Sequence, residues 1–167
     1  YTTLFRSADF EEASIALAEP VRQMPFEAVR DFFFAHRNYF DALDRAAEAL
    51  AQQASQSGRA LKDWLMEHLR RQHGVQVMVE ATGTPHDQGA HRQFDPASRR
   101  LRLLGSLNTG QQAFQLSTQL ALLELAPLIQ QALASHAWQD GATQQLARIG
   151  LANYVAGATV LPYGVFL

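Results

Sequence analysis

A short run of polar side chains interrupts an otherwise apolar segment between Gly110 and Leu125. The run consists of Gln115, Ser117, Thr118 and Gln119. Asn108 and Thr109 are good helix N-cap residues, and Pro127 disfavours helix at the residue before it, so the segment predicts one helix that is buried on most sides. A buried amide or hydroxyl costs about 1–3 kcal/mol when it lacks a partner. The four polar groups therefore require partners, either elsewhere in the protein or in a bound ligand.

Arginine supplies every basic side chain except Lys62. High-GC codon usage would produce this bias, but the planar guanidinium is also well suited to pairing with carboxylate and phosphate. Arg100 and Arg102 alternate with leucines in the segment Arg99 to Leu104, which predicts a strand with one dry face and one basic face. A basic strand face next to a buried polar helix indicates an anion-binding site.

Metal and thiol chemistry have weak support in the sequence. The chain has no cysteine, so thiolate nucleophiles, disulfides and zinc–thiolate sites are excluded. His68 and His73 are five residues apart, a spacing that does not place two side chains on one helix face. His86 and His91 lie in a segment with few carboxylates, which disfavours a metal site there. The sequence therefore predicts no metal-binding residues.

The composition is that of an ordinary globular protein, with 47% hydrophobic and 18% charged residues and a net charge of −2. A chain of 167 residues predicts one domain with a substantial core. No apolar run approaches the length of a membrane span, and the first residues do not form a signal peptide. The charge argues against DNA binding by this piece alone. The lack of cysteine is typical of a cytoplasmic protein, and the start at Tyr1 indicates a piece of a longer one.

The periodicity predicts an α+β fold that is mostly helical, with a small antiparallel sheet of about three strands. Predicted helices cover Pro25–Ser55, Arg59–Gln72, Gly110–Leu125, Leu128–Trp138 and Thr143–Val160, and predicted strands cover Val75–Val79, His91–Phe94 and Arg99–Leu104. Asp95-Pro96-Ala97-Ser98 is the turn of a hairpin, because proline at the second position presets φ. Asp140 is a candidate N-cap of the last helix.

The first predicted helix carries two features that a simple core helix does not need. Arg37, Asn38 and Tyr39 interrupt its apolar stripe, either as surface side chains or as groups directed at a ligand. Phe32, Phe33 and the following Phe34 are adjacent, so the three rings cannot all face one core. One of them is therefore a candidate for a dimer contact.

The combination of two motifs resembles a known family. The helix with Phe114, Leu116, Leu120 and Leu122-Leu123-Glu124 is followed by LANYVAGATVLPY at 151–163. This pair resembles the minimal metallopeptidase-like domain of the ImmA/IrrE type, in which a His-Glu-x-x-His helix precedes an Ala-Asn helix that ends in Leu-x-Pro. Within that group the chain is most similar to the short-chain fatty-acyl regulators, which are XRE-type bacterial transcription factors of acetate and propionate metabolism. The resemblance covers nearly the whole chain.

The resemblance implies a zincin-like core and a division of the chain. Residues 1–24 are expected to be a connector and first helix after a helix-turn-helix domain that this chain lacks. Residues 25–167 are expected to form the ligand-sensing metallopeptidase-like domain. DNA would be bound only through the absent domain, and the regulator would be a cytoplasmic homodimer. The iron–sulfur cluster expected in some relatives would need cysteines that are absent here.

The chain departs from the peptidase pattern at the positions that bind zinc. Thr118-Gln119-Leu120-Ala121-Leu122 stands where the peptidases have His-Glu-x-x-His, and Asp140 is the last carboxylate before the C-terminus. Threonine and leucine cannot replace two imidazoles, and an amide cannot act as the base. We therefore expect no catalytic residues and no peptidase activity.

The predicted function is sensing of coenzyme A or a short-chain acyl-CoA as the effector, with no required cofactor. Arginines would hold the phosphates, amide and hydroxyl groups would meet the pantetheine amides, and aromatic rings would supply flat contacts. The residues expected to bind ligand are Arg37, Tyr39, Phe94, Arg100, Arg102, Gln115, Thr118, Gln119, Arg148, Asn153, Tyr154 and Tyr163. Phe94 stands where the family pattern has a tyrosine, so a hydroxyl contact is not expected there.

Two other functions stay open at the level of the sequence. A dimerisation or spacer module needs only the apolar and aromatic helix faces and no ligand. A residual hydrolase on the peptidase-like scaffold needs a nucleophile and a base, and no Ser-His-acid set lies at the family's motif positions.

Overall fold

Helices dominate the part of the chain that the computed structural model describes, residues 23–81 and 90–163. The helices are α1 (Pro25–Ala35), α2 (Asp41–Gln56), α3 (Leu61–His73), α4 (Thr109–Glu124), α5 (Ala126–Ala134) and α6 (Gly141–Val160), followed by a 3₁₀ turn (Leu161–Tyr163). The strands are β1 (Gln76–Val79), β2 (Arg92–Asp95) and β3 (Arg100–Leu103). The predicted mostly helical fold with three strands is confirmed. The expected first helix, in residues 1–24, falls almost wholly outside the described residues.

The core is built around α4 and α6, which pack against each other along their lengths. Leu116, Leu120 and Leu151 are fully buried in this contact region. Ala121 and Ala152 are fully buried as well, and such small side chains let two helix backbones approach closely. α3 covers another side of α4, and α1 and α2 cover α6. The central helix is thus enclosed on most sides, as the sequence predicts.

The prediction of one continuous helix over Pro25–Ser55 is wrong. Residues 36–40 are not helical and separate α1 from α2. Arg37 and Asn38 both have a φ of 55°, in the left-handed region that ends a helix. The backbone N–H of Asn38 donates to the Phe33 carbonyl oxygen at 2.8 Å, which closes the end of α1. The chain then turns and starts α2 at Asp41. The interruption of the apolar stripe therefore reflects a change of direction between two helices.

The sheet has the order β1-β3-β2 and is mixed, with only one of its two pairings antiparallel. β2 and β3 form the predicted antiparallel hairpin, with Phe94 opposite Leu101. β1 pairs with β3 in parallel, with Val77 opposite Leu101, so the expectation of a wholly antiparallel sheet does not hold. The reason is that the chain direction reverses once between β1 and β2 and again at the hairpin turn, so β3 runs the same way as β1. Leu101 and Leu103 are buried and Arg100 and Arg102 are exposed, which confirms the dry and basic faces.

An aromatic cluster joins α1 to the rest of the helices. Phe32 is fully buried, and its ring lies 5.0 Å from Trp138 and 5.6 Å from Phe40, measured between centroids. Phe34, two residues on, is 61% exposed. The prediction that three adjacent rings cannot share one core is therefore confirmed, whereas the dimer contact stays a prediction. Within the described ranges, no helix has the length and apolar character needed to cross a bilayer.

Gly105 follows β3 and packs directly against the backbone that follows β1. A Cβ atom at this position would overlap the Glu80 carbonyl oxygen and lie 2.9 Å from the Ala81 carbonyl carbon. Since these are backbone atoms, they cannot rotate away as a side chain would. The absence of a side chain at Gly105 thus keeps the two ends of the parallel pair together.

We predict that Gly105→Ala lowers the free energy of unfolding by about 1–3 kcal/mol, as overpacking commonly does. Gly157→Ala is the matched control, because a Cβ atom there meets nothing within 4 Å and helical alanine is favoured over glycine by about 0.5–1 kcal/mol. Urea denaturation of both variants measures the difference. A Gly105→Ala protein as stable as the wild type would contradict the close approach.

Candidate functional site

The polar middle of α4 is buried as predicted. The helix begins with a capping box, in which the Asn108 side chain accepts from the Gln111 backbone N–H at 2.8 Å and the Gln111 side chain accepts from the Asn108 backbone N–H at 2.9 Å. Thr118 is fully buried and Gln119 is 4% exposed. Their polar groups consequently lie away from bulk water, where each needs a partner.

Arg92 is the partner that sequence reasoning missed. Its Nε donates to the Gln119 Oε1 at 3.0 Å, and its Nη1 donates to the Gln115 Oε1 at 3.0 Å. Arg92 lies opposite Leu103 in the hairpin pairing, so it shares the dry face of the sheet and points toward α4. The alternation in β2 carries the signal that could have found it. The two predicted site residues Gln115 and Gln119 are therefore brought together by one guanidinium.

The Arg92 guanidinium is partly buried without an acidic partner. Burial lowers its pKa, although an arginine remains protonated in proteins. In residues 23–81 and 90–163 no carboxylate lies within ion-pair distance of it. Only two of its five N–H donors are used by the glutamines. Its other N–H groups make no further hydrogen bond to the described residues, and a partly buried charge generally needs such partners.

The positions that bind zinc in the peptidase pattern do not fit a metal ion. Thr118 Oγ1 lies 3.0 Å from the Phe114 carbonyl oxygen and 3.1 Å from the Asn153 Oδ1, so its hydroxyl is used within the protein. Leu122 offers no ligand atom, and Gln119 is held by Arg92. The predicted pair Thr118 and Asn153 is thus brought together, but as a contact between α4 and α6. Ser117, next to them, is 2% exposed and its hydroxyl has no hydrogen-bond partner in the described part.

The outer face of the sheet carries a groove of about 790 Å³, within the range of about 300–1,000 Å³ usual for small-molecule sites. The predicted residues Phe94, Arg100 and Arg102 line it, together with Gln93 and Ser98. Arg102 forms an ion pair with Glu80. Arg100 and Arg102 place their side chains on this face, whereas the Phe94 ring, opposite Leu101, lies on the dry face toward Gln115 and Gln119.

The remaining predicted residues lie elsewhere. Arg37 and Tyr39 are exposed in the turn between α1 and α2, where the Tyr39 hydroxyl donates to Asp41 Oδ1 at 2.7 Å. Arg148 donates from Nη2 to the Gln130 Oε1 at 2.6 Å, which joins α6 to α5. The Tyr163 side chain lies outside the described residues, as does His86. The predicted residues are therefore divided among several places, and no single pocket lined by all of them is seen in the described part.

Tyr154 serves as a link between α6 and the start of α2. Its hydroxyl accepts from the Phe40 backbone N–H at 3.2 Å and donates to the Asp44 Oδ2 at 2.8 Å. Burial, together with the hydrogen bond to Asp44 and its negative charge, raises the pKa of Tyr154. The contacts seen for this residue are structural.

His68 and His73 converge on Glu124, contrary to the prediction from their spacing. The Nε2 atoms of His68 and His73 lie 2.8 Å and 2.9 Å from the same Glu124 Oε1. Helical side chains lean toward the N-terminus, so His73, the last residue of α3, reaches back toward His68, and the end of α4 lies between them. Burial alone would raise the pKa of the Glu124 carboxyl, but the hydrogen bonds from His73 and His68 outweigh it and hold the pKa below its usual value.

We predict that Tyr154→Phe destabilises the protein by about 1–2 kcal/mol at neutral pH, because the Phe40 N–H and the Asp44 carboxylate lose their partner. The raised pKa means that the folded state favours the neutral phenol. That contribution is complete below the unfolded value of about 10 and is lost as the pH rises above it through the folded value. Urea denaturation at neutral pH and above pH 10 should show the wild type and the variant converging in alkali. A difference that grows with pH would contradict this assignment.

The fold and several stretches of the sequence are shared with known transcription regulators. The chain is 40% identical over 147 residues to the HTH-type transcriptional regulator PrpR of Mycobacterium tuberculosis, an overlap of 88% of this chain and 30% of PrpR. RamB, an HTH-type transcriptional regulator of the same species, is 40% identical over 143 residues, which are 86% of this chain and 30% of RamB. The chain thus spans about a third of the length of these relatives.

A third relative and a solved structure agree with these two. The Propionyl-CoA carboxylase regulator of Cereibacter sphaeroides is 37% identical over 162 residues, 97% of this chain and 33% of that protein. A solved structure of a Mycobacterium tuberculosis transcriptional regulator superposes with a TM-score of 0.72 at 39% identity, covering 86% of this chain and 43% of the other. Each of these relatives is thus named as a regulator, and PrpR, RamB and the solved structure are transcriptional regulators, as the sequence motifs implied.

The family model described as the IrrE N-terminal-like domain matches residues 70–167. This range is more than half of the chain and contains the sheet, the polar helix α4 and the α6 helix that packs against it. The predicted zincin-like core is thereby confirmed. The protein belongs to the IrrE N-terminal-like domain family.

Proposed function

We propose that this domain is the effector-sensing part of a bacterial transcription regulator and binds coenzyme A or a short-chain acyl-CoA. The observation that carries the proposal is Arg92, whose guanidinium is held by Gln115 and Gln119 without a carboxylate in the described part. Gln119 stands at the position of the peptidases' catalytic glutamate. Exchange of that acid for an amide leaves the guanidinium charge available to a ligand.

The chemistry of the effector follows from what the site offers. Coenzyme A combines anionic phosphates with a slender arm that carries amides and, when acylated, a thioester carbonyl. The free N–H donors of Arg92 match an anionic or carbonyl oxygen. The name of one relative, the Propionyl-CoA carboxylase regulator, supports a role in short-chain acyl metabolism. DNA would be bound through another part of the regulator, because this chain covers only about a third of its relatives.

The groove on the outer sheet face is a second anion-binding element that the proposal uses. Arg100 contributes a guanidinium with no ion-pair contact in the described ranges, whereas Phe94 lies opposite Leu101 and directs its ring to the dry face of the sheet. Arg102 is less available, since it is paired with Glu80. Arg100 is therefore expected to be the groove residue that contacts phosphate, and Arg92 the residue on the opposite face that contacts the pantetheine or acyl end.

Signalling in this scheme is a population shift. A ligand changes DNA binding only if it binds one arrangement of the regulator more tightly than another. Arg92 joins the edge strand β2 to α4, so a ligand that draws its guanidinium away changes the contact between sheet and helix. Regulation without catalysis fits the names of the relatives, which are all regulators.

The test is a thermal-shift and calorimetry panel of coenzyme A, acetyl-CoA, propionyl-CoA and longer acyl-CoAs against free acetate and propionate. A ligand at 100 times its Kd stabilises the native state by about 2.7 kcal/mol. We expect the thioesters or coenzyme A to raise the melting temperature and the free acids to leave it unchanged. If no coenzyme A compound does so at millimolar concentration, the sensor proposal is wrong and a dimerisation or spacer module is favoured.

Variants assign the binding residues. Arg92→Lys keeps the charge but cannot bridge both glutamines, so affinity should fall by about tenfold or more, equivalent to about 1.4 kcal/mol. Arg100→Gln tests the groove separately, and Arg37→Ala and Arg148→Ala test the two arginines favoured from sequence. Arg45→Gln is the matched control, because its guanidinium is 76% exposed and pairs with Asp41 on the surface. Wild-type affinity in Arg92→Lys would remove this residue from the site.

A further inference from the structure

His68, His73 and Glu124 form a cluster that the proposed sensing function does not use. One ligand atom from each residue lies within 4.8 Å of the other two. The two imidazole Nε2 atoms share the Glu124 Oε1, at 2.8 Å and 2.9 Å. Four-coordinate zinc with bonds of about 2.0–2.1 Å separates its ligand atoms by roughly 3.4 Å, so an ion requires only small side-chain movements.

The neighbouring residues hold these rings in place. Trp64 stacks on His68 with centroids 4.6 Å apart and planes inclined by 17°. The His73 carbonyl oxygen accepts two hydrogen bonds from Arg99, from Nε at 3.1 Å and from Nη2 at 2.6 Å. Gly74, with a φ of 65°, then ends α3 directly after His73. The His68 ring and the His73 backbone are thus positioned before any ion arrives, which reduces the entropy lost on binding.

The cluster is accessible as well as ordered. The side chains of His68, His73 and Glu124 are 15%, 18% and 30% exposed. A cavity of about 260 Å³ adjoins the His68 side and is lined by Trp64 and Glu67 among others. An ion can therefore enter, and water can occupy the coordination position that the protein leaves open.

We propose that His68, His73 and Glu124 bind one divalent first-row transition ion, with Zn²⁺ as the reference ion. Two imidazole nitrogens and one carboxylate oxygen are a ligand set that zinc uses, with water as the fourth ligand. The site is distinct from the vacated peptidase position, because Thr118 and Leu122 contribute nothing to it. The bound ion replaces the protons that the two Nε2 atoms now share with Glu124, and it clamps the end of α3 to the end of α4.

This site is independent of coenzyme A binding, so either proposal can fail without the other. The first test is isothermal titration of Zn²⁺ into the tag-free 167-residue chain, followed by the visible absorption of the Co²⁺ form. We expect one saturable site per chain and the intense absorption of tetrahedral Co²⁺. No saturable binding, or binding at several equivalent sites, would overturn the proposal.

Variants connect the binding to these residues. Glu124→Gln still accepts hydrogen bonds from both imidazoles and so retains the fold, but a neutral amide is a poor zinc ligand. We expect Glu124→Gln and His73→Gln each to weaken Zn²⁺ binding by more than about tenfold. His91→Gln is the matched control, because His91 is exposed and outside the cluster. If Glu124→Gln binds Zn²⁺ with wild-type affinity, the proposed site is wrong, whether or not His73→Gln folds.

Fluorescence gives an independent readout, since paramagnetic Ni²⁺ quenches a nearby indole. The chain has two tryptophans. Trp64 stacks on His68, whereas Trp138 packs against Phe32 and His136. Saturable quenching should therefore persist in Trp138→Phe and disappear in Trp64→Phe. The opposite pattern would place the ion at the aromatic cluster and contradict the proposal.

Discussion

Close packing of α4 against α6 is the constraint on which the rest of the structure depends. Leu116, Leu120 and Leu151 are fully buried, and alanines on both helices keep the backbones near each other. Helices α1, α2, α3 and α5 pack around this pair, so Ser117, Thr118 and Gln119 in the middle of α4 are buried and Gln115 is half-buried. A polar group buried there costs free energy unless it has a partner, and other described residues supply one for Gln115, Thr118 and Gln119.

The partners found by these groups explain how a peptidase-like scaffold can lack the peptidase's metal centre. Thr118 contacts Asn153 of α6, and Gln115 and Gln119 accept hydrogen bonds from Arg92 of the sheet. Thr118 and Leu122 thus stand where the peptidases have the two zinc-binding imidazoles, and Gln119 stands in place of the catalytic glutamate. The exchange reverses the electrostatic character of the site, because the charge contributed by the described side chains is now the cation of Arg92.

Local signals in the sequence were sufficient to predict most of the helices, strands and turns. Asn108 with Gln111, Asp140 and the turn Asp95–Ser98 each act through neighbouring residues, and the structure places a cap or a turn at each of them. The interruption between α1 and α2 was not predicted, because it depends on positive φ at Arg37 and Asn38. Neither residue is a glycine, which is the usual sequence signal for positive φ. The fold could be predicted because its elements are encoded mainly by local pattern.

The candidate site was less predictable because it depends on contacts between distant residues. His68 and His73 share a hydrogen-bond partner, Glu124, that lies more than fifty residues later in the chain. Arg92 was not predicted as a site residue. Its face of the sheet is decided by its pairing with Leu103, which the sequence of β2 alone does not define. Gln115 and Gln119 were identified as needing partners, yet their common partner could not be read from α4 alone.

The position of β3 at the centre of the sheet has a consequence for how the chain folds. β2 and β3 are joined by a short turn, so their pairing closes a small loop and can form within microseconds. β1 is paired with residues 24 positions further along, and its parallel register is defined only once β3 exists. The hairpin can therefore act as a template for the third strand, and we expect it to form before β1 pairs in parallel.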